Sequence, residues 1–527
     1  MALSGASHKL GVPSLLLFIL LGMLVGVDGP LHVDFADYAL VGDVCSIALV
    51  FIMFYGGFGT NWRQARPVAA RAIMLSTAGV LLTAGLVGAF CHLALGLDWT
   101  SALLLGSVVA STDAASVFSI LRSRKLALRE GTASLLEVES GSNDPMAYLM
   151  TMVLTAASVA PPSAGSVALT VVLQVGAGLA VGFGVAWLAR QLLSRHVPPE
   201  GMGSVLMAGV ALLAYALSAQ LGGNGYLACY LTGLVLGNGD LPQKDRLVHF
   251  FDGLTEIAQV LIFFLLGLLS TPTSLVPHAA PALAVVAFLT CVARPVAVAA
   301  LLLPMGSSLR QVALVAFSGL RGAASIVFAI MAMTGGAAMG EDIFHITFFI
   351  VLVSILAQGT LLPLVATRLG MVDDKGDVMR TFTDYVEERD VSFVESVVPA
   401  GHPWVGRSLA QVELPPGTLA VLVARGGERF SPDGSTVLVA GDRLVLAATD
   451  PQAGLECGCG PELPQGCLRE VELAADDPAV GRTLAELGQW HQTDGALVVM
   501  VLRGEKTLIP NGSTVLEAGD VLVLSRA

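Results

Sequence analysis

The sequence predicts an all-α polytopic membrane domain followed by small α/β cytoplasmic domains. Three observations carry that prediction: a composition short of charge, twelve apolar runs whose connecting loops are alternately basic, and an acidic tail with an internal repeat. Of 527 residues, 54% are hydrophobic and 13% charged, whereas soluble domains run at about 25% charged. That excludes a soluble globular enzyme and a disordered chain. The net charge of -13 is uneven: residues 371–527 hold 12 basic and 24 acidic side chains, and residues 1–370 hold 16 and 17. Neither part offers the basic surface that nucleic acid requires, so no nucleic-acid partner is expected.

A spanning helix takes about 20 mainly apolar residues. The runs fall near 10–27, 39–59, 68–90, 99–121, 131–157, 165–189, 202–219, 224–239, 252–270, 277–303, 309–333 and 342–368. The first contains Gly22 and Gly26 and has no small-residue cleavage pattern, so it reads as a retained helix. Arg63, Arg66 and Arg71 follow segment two, and Arg122, Arg124, Lys125 and Arg129 follow segment four. Arg190 and Arg195 follow segment six, Lys244 and Arg246 segment eight, Arg310 segment ten, and Arg368 ends segment twelve. Loops after odd segments carry no Lys or Arg. The positive-inside rule then places both termini in the cytoplasm.

The membrane domain is expected over 1–370, with a linker over 371–390. In the tail, Val405-Gly406-Arg407-Ser408-Leu409-Ala410 returns as Val480-Gly481-Arg482-Thr483-Leu484-Ala485. The stretch from Pro432 to Asp442 returns from Pro510 to Asp520. Two tandem modules, 391–452 and 470–527 with a linker over 453–469, are the expected reading. They lack a dinucleotide fingerprint and a phosphate loop. Cys457, Cys459 and Cys467 have neither the spacing nor the histidine of a zinc site, and no cofactor is expected.

Charge inside hydrocarbon costs at least a few kcal/mol and so marks a cavity or a partner. Segment four carries Ser111-Thr112-Asp113 at its middle. These side chains compete with the backbone ladder, so the helix is expected to break there and offer carbonyls to a cation. Segment five carries Glu137, Glu139, Ser140, Asn143, Asp144 and Pro145. If the two segments cross near mid-membrane, Asp113 and Asp144 share a hard-oxygen cage suited to Na⁺, K⁺ or protons. A carboxylate that holds either a proton or a cation is the working part of an antiporter. Arg321, between Gly319 and Gly322 in segment eleven, is read as deep in a helix and paired with Glu139. Arg294-Pro295 in segment ten is read either as lining the cytoplasmic funnel or as capping a broken helix. Tyr226, Glu256 and Gln259 are further pathway candidates.

Thr112-Asp113, then Glu139-Ser140-x-x-Asn143-Asp144, then Gly319-x-Arg321-Gly322 together resemble the monovalent cation:proton antiporter family of the NhaP kind. Leu10-Gly11-Val12-Pro13, Gly225-Tyr226-Leu227-Ala228 and Gly267-Leu268-Leu269 agree with it, over about residues 8–369. The resemblance implies a sodium/proton-antiporter-like inverted repeat with discontinuous crossing helices. It also implies a homodimer working by alternating access, a six-helix core moving against a rigid dimerisation part. Asp144 is then the main cation and proton carrier. Asp113, Thr112 and Ser140 help build the site, and Glu139 and Arg321 form a stabilising ion pair. Asn143, where electrogenic relatives place an aspartate, implies one cation for one proton. The family commonly has a further helix at its amino end, and Phe-Asp-Gly-Gly where this chain has Phe54-Tyr55-Gly56-Gly57.

Each tail module resembles the TrkA-C subdomain of regulators of potassium conductance. This implies K⁺/H⁺ exchange at a bacterial inner membrane, controlling cell potassium, pH and volume. It also implies a small regulatory ligand, such as a nucleotide, on the tail. Na⁺/H⁺ exchange, with Na⁺ or Rb⁺ beside K⁺ as substrates, is the alternative. A tail-gated channel would need a selectivity filter, and no Thr-x-Gly-Tyr-Gly run exists here. No nucleophile elbow, His-x-x-x-His site or kinase lysine suggests an enzyme.

Overall fold

The computed structural model describes residues 14–373, except Lys125, Pro161, 196–201, Asp240 and 242–243. In the tail it describes 392–398, 404–412, 414, 418–425, 428–430, 432–448, 468–473, 479–483, 497–503, 506–508 and 514–525. The expected motif over Leu10–Pro13, most of both linkers, and Cys457, Cys459 and Cys467 lie outside the described residues. The chain divides into two units, Met1–Tyr385 and Val386–Ala527.

In the first unit, α1 (Ser14–Val25), α2 (Tyr38–Gly59) and the short α3 (Trp62–Ala65) lead into the core. Next comes α4 (Ala69–Leu95), which contains a wide π turn at Leu75–Gly79. Then come α5 (Trp99–Val108), α6 (Ala114–Ser123), the two-residue strand β1 (Ala127–Leu128) and α7 (Thr132–Val159). After these, α8 (Ala164–Arg195), α9 (Met202–Gln220), α10 (Gly225–Gly237) and α11 (Lys244–Leu269) follow in turn. The helix α12 runs over Pro272–Phe288, makes a second π turn at Leu289–Ala293 and continues over Arg294–Leu302. The unit closes with α13 (Leu309–Phe317), α14 (Ala323–Thr334), α15 (Asp342–Arg368) and β2 (Val372–Asp373).

Seven of the described helices are long and apolar enough to cross a membrane. Four shorter apolar ones accompany them, at Leu15–Val25, Trp99–Val108, Gly225–Gly237 and Ala323–Thr334. Helix starts follow capping chemistry: Asp37, Asp98, Asn224 and Ser308 each accept a backbone N–H from three residues on. Segment four breaks as expected, between α5 and α6. Segment eleven breaks as well, which the sequence reading did not foresee: Ser318–Gly322 is not helical, so Arg321 lies in an extended crossing and not in a helix. Gly319 and Gly322 flank it, and glycine weakens a helix interior.

The core repeats one pattern twice. A helix with a π turn (α4, α12) precedes a broken pair (α5–α6, α13–α14) and then a long helix (α7, α15). That duplicated order of elements is what the expected internal repeat calls for. Phe90 and Phe288 stack at 4.3 Å between α4 and α12. Outside the core, α2 and α10 cross at glycines. A Cβ on Gly233 would strike the Phe54 carbonyl, and one on Gly57 the Tyr230 carbonyl.

The second unit holds two four-stranded antiparallel sheets. The first comprises β3 (Ser392–Val397), β4 (Thr418–Arg425), β5 (Glu428–Phe430) and β6 (Arg443–Ala448), in the order β3-β6-β4-β5. The second comprises β7 (Leu468–Glu472), β8 (Leu497–Arg503), β9 (Lys506–Leu508) and β10 (Val521–Ser525), in the equivalent order β7-β10-β8-β9. The repeat in sequence is thus a repeat in structure. Gly406 and Gly481 hold φ of 81° and 82°, and Gly441 and Gly519 hold 91° and 86°. One 3₁₀ turn, Leu409–Gln411, is the helical element among the described tail residues.

Candidate functional site

The two breaks of the core meet. The backbone N–H of Asp113 donates to the carbonyl of Leu320 at 2.8 Å, joining one crossing to the other. A Cβ on Gly322 would strike the Asp113 carboxyl, so only glycine permits this approach. Each break exposes carbonyls at the end of a half-helix, and these need partners in a dry interior. Arg321 Nη1 donates to the carbonyls of Ala110 (2.7 Å) and Ser111 (2.6 Å), just beyond the C-terminus of α5. Its positive charge also suits the negative end of that half-helix. Gln358 on α15 donates from Nε2 to the Phe317 carbonyl at 3.1 Å and serves the end of α13 in the same way.

The sequence-predicted cage residues come together around the first break. Ser140 Oγ donates to the Thr112 carbonyl at 2.8 Å and accepts the Ala114 N–H at 2.9 Å. This ties α7 to both sides of the break. Asn143 Nδ2 donates to Thr112 Oγ1, and Ser111 Oγ donates to Asp144 Oδ1. Asp113 accepts the Ser116 hydroxyl at 2.6 Å and the Ser116 N–H at 3.2 Å, starting α6. Asn143 Oδ1 is buried without a partner. It leaves an oxygen ligand available beside two carboxylates that lie within electrostatic reach of each other.

Most of these groups line a cavity of about 400 Å³, whereas Asn143 and Ser116 are buried outside its lining. One wall holds Ser111, Thr112, Asp113, Ser140 and Asp144. The opposite wall, from α2 and α11, holds Tyr55, Asp252, Glu256 and Gln259, and Glu137 lines the cavity from α7. Tyr55 donates to Asp252 Oδ1 at 3.3 Å. Glu256 and Gln259 fall where the sequence pointed. Tyr226 does not: it is fully buried, packed against Tyr148, Tyr215 and Phe328. Asp252 and Ser111 Oγ were missed. The signal for Asp252 was its spacing, since 252, 256 and 259 form an i, i+4, i+7 polar stripe on an apolar helix.

The expected Glu139–Arg321 pair is not formed. Glu139 Oε1 pairs with Arg294 Nη2 at 2.5 Å, both side chains almost wholly buried. The physical reason is the break in segment eleven. It turns Arg321 into the capping group for the carbonyls of α5, which leaves Glu139 to the arginine that α12 presents after its π turn. Arg294 is therefore neither a funnel group nor a helix cap.

With this geometry in hand, comparisons with known proteins agree. The sodium/hydrogen exchanger transmembrane family matches residues 1–368. The TrkA-C domain matches residues 393–454 and again 468–525. The K(+)/H(+) antiporter NhaP2 of Shewanella sp. (strain ANA-3) is 38% identical over 451 residues, covering 84% of this chain and 78% of that protein. The K(+)/H(+) antiporter NhaP of Alkalimonas amylolytica is 35% identical over 427 residues, covering 80% and 74%. The solved sodium proton antiporter MjNhaP1 of Methanocaldococcus jannaschii superimposes with a TM-score of 0.62 at 22% identity. That overlap covers 70% of this chain and 95% of that one, a likeness of fold. The chain belongs to the sodium/hydrogen exchanger family of multi-pass membrane transporters, of the NhaP type, and carries two TrkA-C domains.

Proposed function

We propose that the protein is an antiporter exchanging cytoplasmic K⁺ for external H⁺, one for one, across a bacterial inner membrane. The observation that carries the reading is the cage: Asp144 and Asp113 with Ser111, Thr112 and Ser140 at a stitched helix break, open to one cavity, with Asn143 buried against Thr112. Asp144 binds either K⁺ or a proton, because a buried carboxylate must be neutralised by one or the other. Asp113, Thr112, Ser140 and Asn143 supply the remaining oxygens. Glu139, paired with Arg294, keeps its charge out of the exchange. The choice of K⁺ follows the names of the two relatives above and the TrkA-C tail.

Alternating access then requires the core to move against α2, α10 and α11, with the cavity reached from the cytoplasmic side. The basic loops support that orientation, with both termini cytoplasmic. A homodimer is part of the reading. The exposed apolar face of α8, including Leu169, Val172, Phe183 and Trp187, faces lipid or a second copy. A small ligand, such as a nucleotide, binding the TrkA-C domains would regulate exchange.

The test is proton flux in sealed vesicles with K⁺, Na⁺, Li⁺ or Rb⁺ added in turn. K⁺-driven flux that is lost in Asp144→Asn is the expected result. Flux with Na⁺ alone would shift the reading to Na⁺/H⁺ exchange, and K⁺-driven exchange surviving Asp144→Asn would sink the mechanism.

A further inference from the structure

The loop joining α6 to α7 is pinned to the segment through which the chain leaves the membrane domain. Ala127 pairs with Asp373 and Leu128 with Val372, antiparallel. Arg129 N–H adds a bond to the Met371 carbonyl at 2.9 Å. Met371 is 1% exposed and packs in one apolar cluster with Val117, Phe118 and Leu121 of α6 and Leu135, Leu136 and Val138 of α7. Val138 directly precedes Glu139, and α6 begins on Asp113.

The loop is also held under strain. Glu130, a non-glycine residue, sits at φ 61° next to Gly131 at 64°, a left-handed conformation that persists only where surroundings impose it. Ser308 Oγ donates to Glu130 Oε2 at 2.8 Å, and Gln311 Nε2 donates to the Glu130 carbonyl at 3.0 Å. A ladder of two residue pairs is marginal by itself, which makes it a joint that a modest pull can open. Beyond Asp373 the chain continues to the tail, whose first strand starts at Ser392.

We propose that the β1–β2 pairing is a latch through which the state of the TrkA-C domains reaches the ion site. Closed, it holds the α6–α7 loop, and with it the bonds from Ser140 to Thr112 and Ala114, in register. Opened by the tail, it lets α6 slip relative to α7 and loosens the cage. Met371, Val372 and Asp373 are positioning residues; none touches the cation. The inference rests on reading Asp113 and Asp144 as the exchange site.

The full chain in sealed vesicles provides the test. Asp373→Pro removes a ladder position. It is expected to raise the half-saturating K⁺ concentration about fivefold, equivalent to about 1 kcal/mol, with the maximal rate nearly kept. Val372→Ile should behave as wild type. Because Asp373→Pro can lower yield, Leu128→Cys with Val372→Cys gives a second route: opposite residues in the ladder close a disulfide on oxidation. A tail substitution, Arg425→Ala, is expected to shift half-saturation in the unlocked chain, to have no effect in the oxidised pair, and to act again after reduction. Three results would each overturn the latch: wild-type kinetics in Asp373→Pro, no effect of Arg425→Ala in the unlocked chain, or an effect that persists through oxidation. Failure of the site reading itself shows separately, as exchange surviving Asp144→Asn.

Discussion

Replacing Arg294 by methionine strands the Glu139 carboxylate, which is 1% exposed. Breaking a buried pair from one side costs about 3–5 kcal/mol. Arg294→Met is therefore expected to lower the melting temperature in detergent sharply. Adding Glu139→Gln should recover part of the loss, since the stranded charge disappears. A cycle in which the double variant is no more stable than Arg294→Met would contradict the pairing. Arg321→Ala should act differently: it leaves the carbonyls of Ala110 and Ser111 without their donor and so disrupts the break itself. Lower yield is expected, together with a weaker cation affinity in the surviving protein, because Ser111, Thr112 and Asp113 hang on that break; a flux titration with unchanged half-saturation would contradict the capping role. The sequence pointed at Asp113 and Asp144 because a carboxylate in an apolar run has few alternatives. It could not say which arginine Glu139 would meet. Two buried arginines on different segments are equivalent until the backbone path between them is known.

At the scale of elements, close crossings and breaks decide the architecture. Gly233→Ala places a methyl on the Phe54 carbonyl where α10 crosses α2. Overpacking of this kind costs about 1–3 kcal/mol, and a matching drop in thermal stability is expected with the cage unaltered. Cation half-saturation should stay put while the melting point falls. Helix α4 was legible from its apolar length alone, although its π turn was not. The break at Ser318–Gly322 was hidden because the run stays apolar on both sides and contains no proline. The break in segment four was visible because Ser111-Thr112-Asp113 supplies side chains that compete with the ladder. The strands β1 and β2 were invisible for another reason: two residues are too few for any period to register.

Over the whole molecule, charge is sorted by solvent. Among the described tail residues, each module buries one carboxylate: Asp442 and Asp520 are 1% and 0% exposed. Arg425 grips Asp442 through Nε and Nη2, both at 2.7 Å, and Arg503 grips Asp520 at 2.8 Å through each. The hydrogen-bonded guanidinium holds each carboxyl below the usual carboxylate range. A carboxyl depressed in the folded state adds stability above its unfolded value, near about 3.9, and that stability is lost as pH falls through the folded value. Amide protection in β6 and β10, taken relative to the intrinsic exchange rate at each pH, should therefore be constant near neutrality and fall below about pH 4. Arg425→Gln should show faster exchange in β6 already at pH 7. The duplication of this clamp was legible in the repeated Gly-Asp that closes each module, although its arginine partner, seventeen residues upstream in both, was not.

The hydrogen bond from Asp113 to Leu320 has one more consequence. Because it runs backbone to backbone, no change of rotamer can release it. The two crossings that form the cage are effectively sewn together at their midpoints. In the proposed exchange, any motion of one crossing would therefore carry the other with it, and the cation site between α5 and α6 would travel as one body with Leu320.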